Sequence, residues 1–224
     1  HSQNAWIDSL KHSIATSTPD SNRVTSLITL SSSYRFSYPD SGLILAQQAL
    51  ALSKKLKDDN LTFWSIVAVC GCLYPLGNFS AELNYALEIQ TLAKKINTPL
   101  SRGYANGLMS DAYLNFGEYK TSIFYWRKVI DITENELPGE LTAVYGNSAI
   151  IFARAKEYNS ALIYVKKAYR ALYEDSNVIH DSSAIKFFSS NIFEAWGEAC
   201  AGKQQYDSAL YYYHISLHFS ESID

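Results

Sequence analysis

The feature that most constrains the fold of this chain is a phrase that it repeats five times. Each copy opens on an aromatic residue or a proline. A fixed position lies three residues further on, and regularly spaced apolar residues follow it. That position is occupied by Gly42, Glu82, Ser122, Ala161 and Ala209. The copies are therefore 40, 40, 39 and 48 residues apart. Spacing this regular is typical of repeated supersecondary units that each pack on their neighbours.

Each phrase predicts an amphipathic helix, because its apolar positions recur at offsets of four and seven residues. A second apolar stretch precedes each phrase and predicts a first helix for every unit. The connecting turns read SYPDS at 37–41, GNFS at 77–80, GEYK at 117–120, KEYN at 156–159 and QQYD at 204–207. Turns this short predict that the two helices run antiparallel as a hairpin.

The predicted map is an all-α chain that forms a single domain over residues 1–224. A leading helix covers about 4–15, and Asp20, Ser21 and Asn22 supply a cap for the next helix. Asp40, Ser80, Thr121, Asn159 and Asp207 are expected to accept backbone N–H groups at or near the starts of the second helices. The helix pairs cover about 22–57, 60–96, 99–134, 139–174 and 183–222. The longer last step predicts an insertion at 174–182.

Composition excludes several classes of partner. A formal charge of -3 with scattered Lys and Arg residues disfavours nucleic acid. The longest apolar run, 66–73, is far shorter than the roughly 20 residues of a membrane-spanning helix, so no membrane insertion of this segment is expected. Three cysteines do not make a fully paired disulfide framework. No cofactor is predicted.

At this point the residues resemble the tetratricopeptide repeat (TPR) family, whose unit is a 34-residue helix-turn-helix. The last unit matches the family's signature spacing with Phe193, Trp196, Gly197, Cys200, Tyr206, Ala209, Tyr213 and Ser216. The family's closing proline is missing at Lys94 and Glu134, and a proline follows at Pro99 and Pro138. The second helices are therefore expected to run more than a turn longer. The resemblance implies a right-handed α-α superhelix of five hairpins plus the leading helix.

The resemblance also implies a concave groove lined by the first helix of each pair. The residues that it places there are Tyr34, Arg35, Trp64, Tyr74, Tyr104, Asp111, Asn115, Arg154, Asn191, Glu194 and Glu198. Aromatic side chains give broad contact area, and Arg and Asn add directed hydrogen bonds. A protein or peptide is the expected ligand. The alternative is that these residues are ordinary packing aromatics and solvated charges.

A second resemblance concerns the opening DSNRVTSLITLSSSY, from Asp20 to Tyr34, with YPDSGLILAQQAL after it. It is similar to the extracytoplasmic TPR arrays of Bacteroidetes-type sensor histidine kinases and related regulators. This implies a sensory input domain of a two-component signalling protein, on the periplasmic side of the inner membrane. The alternatives are a stand-alone TPR scaffold and a cytoplasmic location.

The last helix carries exposed apolar residues, which indicates excision from a longer chain or self-association through that helix. Chemical sites are disfavoured. His214 and His218 have metal-ligand spacing without a third ligand. Cys70 and Cys72 are expected to be buried, inert thiols. Glu194 and Glu198 are an i, i+4 carboxylate pair without a closed pocket. The chain is therefore expected to be non-catalytic.

Overall fold

The computed structural model describes residues 2–16, 18–173 and 182–222, and within them it contains eleven α-helices and no strand. Helix α1 (Ser2–Thr16) is followed by α2 (Ser21–Tyr34), α3 (Pro39–Leu56), α4 (Asp59–Leu73), α5 (Phe79–Ile96), α6 (Pro99–Asn115), α7 (Tyr119–Glu136), α8 (Leu141–Arg154), α9 (Tyr158–Tyr173), α10 (Ser182–Gly202) and α11 (Tyr206–Glu221). A single 3-10 turn, Pro138–Glu140, precedes α8. The all-α prediction is confirmed.

The chain forms two compact units, residues 1–116 and 117–224, and each is described by itself. In unit 1, α2 packs on α3, α3 on α4, and α4 on α5. Its core combines apolar residues of both helices of a pair: Ala46, Leu50 and Ile89 come from the second helices α3 and α5, and Phe63 and Ile66 come from the first helix α4. Burial of each of the larger side chains stabilises the unit by roughly 1.5–3 kcal/mol.

Unit 2 repeats this arrangement with α8 on α9 and α10 on α9 and α11. Ala149, Val165, Ala168, Ile192 and Ala195 form its buried cluster. Helix α7 also packs on α8. There Trp126 fills a position that is alanine or valine in three other phrases, and its indole is buried.

The second helices differ in length, since α9 and α11 have 16 residues each, and their lengthening relative to the 34-residue unit stays a prediction. Helices α3, α5 and α7 each have 18 residues, whereas α2 and α4 have 14 and 15. Thr98 and Pro99 begin α6, with the Thr98 side chain accepting from the backbone N–H of Ser101. A proline at the first position of a helix costs no intrahelical hydrogen bond. Because the proline comes later in the chain than in the TPR unit, the preceding helix can be longer.

The helix starts differ in detail from the prediction. Asp20 caps α2 as expected, accepting from the N–H of Arg23 at 3.1 Å. The second helices begin one or two residues before the expected capping residues, so Asp40 and Asp207 lie inside the first turns of α3 and α11. Asn78 provides the side-chain cap of α5. The predicted turn at 37–41 is wrong from Pro39 onward, because proline starts α3. Residues 174–181 of the predicted insertion lie outside the described residues.

Candidate functional site

Three neighbouring first helices of unit 1 present one surface, which we call the first-helix face. It consists of Tyr34 and Arg35 at the end of α2, Trp64, Gly71 and Tyr74 on and after α4, and Tyr104, Asp111 and Asn115 on α6. Helix α2 packs on α4, and α4 contacts α6. Tyr104, Asp111 and Asn115 are seven and four residues apart, so they share one side of α6. Seven of the eleven predicted site residues therefore lie on, or directly after, adjacent helices.

The aromatic part of this face is built on Trp64 and Tyr104. Their rings meet edge to face with centroids 5.0 Å apart. Tyr104 nevertheless keeps 43% of its surface exposed, and Tyr74 keeps 40%. Tyr34 is half-buried and packs edge to face on Tyr38, with centroids 5.7 Å apart. Two amphipathic rings are thus available for contact on this face.

The polar part of the face contains a carboxylate that the sequence prediction missed. Glu82 of α5 is only 2% exposed. Its Oε2 accepts one hydrogen bond, 3.4 Å long, from the side-chain amide of Asn115. Its backbone carbonyl accepts a weak contact from the thiol of Cys70. Buried polar groups are ordinarily hydrogen-bonded, and Asn115 supplies this bond to Glu82.

Arg35 crosses the face over a glycine. A Cβ atom at Gly71 would lie 3.7 Å from the Cδ and Nε atoms of Arg35, so the arginine side chain lies against the α4 backbone at ordinary contact distance. Its guanidinium carbon lies 4.9 Å from the ring centroid of Phe36. The Nε–H of Arg35 is buried and donates to no acceptor among the described residues.

The environment of Glu82 changes its acidity. Burial and, to a smaller extent, the nearby Asp111 carboxylate raise the pKa of Glu82 to about 7, although the Asn115 hydrogen bond and the charge of Arg35 oppose the increase. The pKa of this carboxyl therefore lies in the physiological range because desolvation and a like charge outweigh the favourable contacts. Raised carboxyl pKa values in such settings are common at functional sites.

The repeat alignment contains the signal that identifies Glu82. Its equivalents are Gly42, Ser122, Ala161 and Ala209, so it is the only charged residue at that position. All five residues are buried, since helices of a hairpin meet there. A glutamate at a position reserved for small residues indicates a buried carboxylate.

Unit 2 contains the other four predicted site residues. Arg154 ends α8 and is half-buried, Asn191 is half-buried in α10, and Glu194 is exposed. Helix α10 packs on α8. Burial raises the pKa of Glu198, with the charge of Arg154 opposing it and that of Glu194 adding to it. A groove that continues through both units remains a prediction.

The remaining candidates have ordinary surroundings. Cys70 and Cys72 are buried, as predicted, each 1% exposed. His214 and His218 are exposed on α11, and no group of three or more potential ligands that could hold a metal occurs among the described residues. No described helix is long and apolar enough to cross a membrane. Leu210 and Leu217 of α11 are 58% and 54% exposed. Self-association through α11 remains a prediction.

Comparison with known proteins identifies the fold. No protein-family model matches the chain, and no curated protein matches it. Among solved structures, BtubC from P. vanneervenii is similar with a TM-score of 0.69 at 11% identity, over 97% of this chain and 90% of that one. A Rap protein complexed with competence and sporulation factor has a TM-score of 0.70 at 13% identity, over 97% and 69% of the chains. The apo form of RapI has a TM-score of 0.63 at 15% identity, over 95% and 88%. The TPR-like helical repeat fold is thus confirmed.

Proposed function

We propose that this chain is a non-catalytic repeat domain that binds a protein or peptide through the first-helix face of unit 1. The observation that carries this proposal is the exposure of Tyr74 and Tyr104 on the same face as the half-buried polar residues Asp111 and Asn115. Exposed aromatic rings beside directed polar groups are typical of interaction surfaces. One structural neighbour is a Rap protein in complex with competence and sporulation factor, which supports a binding role for the fold.

The finer proposal is that binding provides the input of a signalling protein of the two-component sensor type. It is supported by the opening DSNRVTSLITLSSSY, which also supports an extracytoplasmic, periplasmic location. A ligand would act by preferring one of two arrangements of the helices, since unequal affinity is what shifts a conformational equilibrium. A stand-alone scaffold in the cytoplasm is the alternative. The gene sequence on either side of this segment distinguishes the sensor from the scaffold. The sensor proposal requires a membrane-spanning helix and a histidine kinase module downstream.

The binding proposal is tested by selecting peptides from a random library displayed on phage, using the whole chain as bait. Selected peptides are then titrated into the double variant Tyr74→Ala/Tyr104→Ala. The matched control is Ile44→Ala/Leu87→Ala, since these residues are 56% and 52% exposed on the second helices α3 and α5. The proposal predicts at least about a tenfold loss of affinity in the tyrosine variant alone, the scale of losing interfacial aromatic residues. Equal affinity in the wild type and the tyrosine variant would contradict it.

A further inference from the structure

We propose that the outer side of α11 binds an amphipathic α-helix of a partner protein, in the way that the other second helices bind the first helix that follows them. The binding residues, which we call the α11 stripe, are Tyr206, Leu210 and Leu217. They lie four and eleven residues apart from Tyr206, so they share one side of the helix. This surface is separate from the first-helix face of unit 1, and the inference does not rest on the proposed function.

The first argument is that the exposure of the α11 stripe is exceptional for its place in the repeat. Leu210 and Leu217 follow the aligned position of their phrase by one and eight residues. They are 58% and 54% exposed. The equivalent residues of α3, α5, α7 and α9 are all buried or half-buried: Leu43, Leu50, Leu83, Gln90, Ile123, Ile130, Leu162 and Tyr169. These two positions are therefore contact positions of the repeat, and α11 leaves them uncovered by the described residues.

A neighbouring repeat position behaves differently and supports this distinction. Tyr211 lies two residues after the aligned position of its phrase and is exposed. Its equivalents Ile44, Phe124 and Ile163 are exposed as well. Exposure at that position is common to these repeats and indicates no partner, whereas exposure of Leu210 and Leu217 is specific to α11.

The second argument is that the preceding pair of helices shows what covers such a stripe. In α9 the equivalent residues are Tyr158, Leu162 and Tyr169. Helix α9 packs on α10, the first helix that follows it. The Tyr169 ring lies 6.2 Å from that of Phe193 and 6.3 Å from that of Trp196, between centroids. An α-helix with large aromatic residues thus covers the equivalent stripe in the same unit.

The third argument is a close contact at the end of α10. A Cβ atom at Gly202 would lie 2.1 Å from the Cε1 atom of Tyr158, so the tyrosine ring leaves no room for a side chain there. Tyr206 is the equivalent of Tyr158 and is 64% exposed. A helix that covers the α11 stripe in the same way carries a glycine opposite Tyr206 and a large apolar residue opposite Leu217.

The fourth argument distinguishes a partner protein from a second copy of this chain. Every first helix among the described residues already packs on the helix before it: α2 on α1, α4 on α3, α6 on α5, α8 on α7 and α10 on α9. A second copy therefore offers no uncovered first helix. The α11 stripe spans about 16 Å of helix, so the partner helix needs at least about three turns.

The inference is tested with a synthetic peptide of the α10 sequence, residues 182–202, as the probe. Serine replaces Cys200 in this peptide, a lysine tag keeps it soluble, and fluorescence anisotropy measures its binding to the full chain. Binding to the wild type is expected. Leu210→Ala/Leu217→Ala should weaken it at least about tenfold, the scale of losing apolar anchors. Both leucines are exposed and alanine is a good helix former, so this variant is expected to fold.

The matched control is Ile44→Ala/Leu87→Ala, which removes equally exposed apolar side chains from repeat positions that are exposed in every second helix. It should bind the probe as the wild type does. Tyr74→Ala/Tyr104→Ala should also leave the probe affinity unchanged. The outcome is therefore independent of the outcome for the first-helix face of unit 1.

A compensating pair of changes tests the glycine contact. Gly202→Leu in the probe should weaken binding to the wild type at least about tenfold, because the leucine would overlap the Tyr206 ring. Tyr206→Ala in the chain should restore the affinity of this altered probe, which a general loss of helix stability would not explain. Equal affinity of the two probes for the wild type would contradict this contact.

Exchange of the probe for the chain's own α10 gives a different result. Helix α10 contacts the other side of α11, where the Trp196 and Tyr212 rings stack with centroids 4.4 Å apart. A probe in that place does not reach the α11 stripe, so Leu210→Ala/Leu217→Ala would bind it as tightly as the wild type. That result, or the absence of any binding, overturns the inference.

Light scattering over a wide range of concentration tests the second copy as occupant. The chain is expected to have the mass of one protomer, 25.1 kDa. A dimer that Leu210→Ala/Leu217→Ala converts to a monomer would assign the α11 stripe to self-association and overturn the proposed partner helix.

Discussion

The side-chain amide of Asn115 donates a 3.4 Å hydrogen bond to the carboxylate of Glu82, across 33 positions of sequence. It connects α6 to α5 inside unit 1. Glu82 itself is only 2% exposed. Because burial raises the pKa of its carboxyl, Glu82 is a determinant of stability.

Stability should depend on pH through Glu82. The pKa of its carboxyl is raised from 4.5 to about 7 in the folded chain. The folded state then holds the proton more tightly than the unfolded state, so the stability gained below about pH 4.5 is lost as pH rises to about 7. Glu82→Gln should lack this loss. Its free energy of unfolding, relative to the wild type, should rise on the order of 1 kcal/mol between pH 5 and pH 8. Urea denaturation at both pH values measures this.

The control for this experiment is Glu88→Gln, which removes an exposed carboxylate from the same helix. An exposed ion pair contributes between about 0 and 1 kcal/mol, so this variant should follow the wild type at both pH values. Parallel pH dependence in the wild type and Glu82→Gln would show that Glu82 keeps an ordinary pKa.

The fold was largely predictable because its determinants are local. The spacing of apolar residues and the short turns predict each hairpin, and Pro99 predicts where α5 must have ended. The contact between Trp64 and Tyr104 was not predictable in detail, although their common surface was. Glu82 was missed as a site residue, although its repeat position indicates burial, because its hydrogen-bond partner Asn115 lies in another repeat. The repeat position showed that residue 82 is unusual, whereas its hydrogen bonding required coordinates.

Substitution by alanine should have opposite effects on the free energy of unfolding at Gly42 and at Gly103. A Cβ at Gly42 would lie 2.9 Å from the Sγ atom of Cys72 and 3.1 Å from the carbonyl oxygen of Ser31. Gly42→Ala should therefore destabilise the chain by about 1–3 kcal/mol, as overpacking does. A Cβ at Gly103, inside α6, meets nothing within 4 Å.

Gly103→Ala should consequently stabilise the chain by about 0.5–1 kcal/mol, because alanine is the better helix former. Chemical denaturation of both variants provides the comparison. Equal changes in the free energy of unfolding would contradict the close packing of α3 on α2 and α4.

Trp126 in unit 2 depends on a buried serine. Its indole N–H donates to the Oγ atom of Ser148 at 2.8 Å, and Ser148 has no exposed surface. Ser148→Ala leaves a buried donor without an acceptor, which should cost about 1–3 kcal/mol of unfolding free energy. Ser32→Ala is the control, since the hydroxyl of that exposed residue bonds only the carbonyl of Ile28, one turn back. Similar denaturation midpoints for both variants would rule out this bond as a stabilising contact.

The buried thiols of Cys70 and Cys72 should be chemically inert. Burial raises the pKa of both, and nearby carboxylates raise that of Cys70 further. The thiolate is the reactive form, so iodoacetamide at pH 8 should label neither residue in the native chain and both in urea. Mass spectrometry of proteolytic fragments identifies the labelled sites. Native labelling at the rate found in urea would be inconsistent with their burial.

Hydrogen–deuterium exchange with and without a library-selected peptide tests the binding face most directly. The account predicts slower exchange at the carboxyl-terminal ends of α2 and α4 and along α6, where Arg35, Tyr74 and Asn115 lie. Helix α3, which carries Ile44, should be unaffected. Protection confined to α3 and α5, or to unit 2, would contradict the claim that the first-helix face of unit 1 binds the ligand.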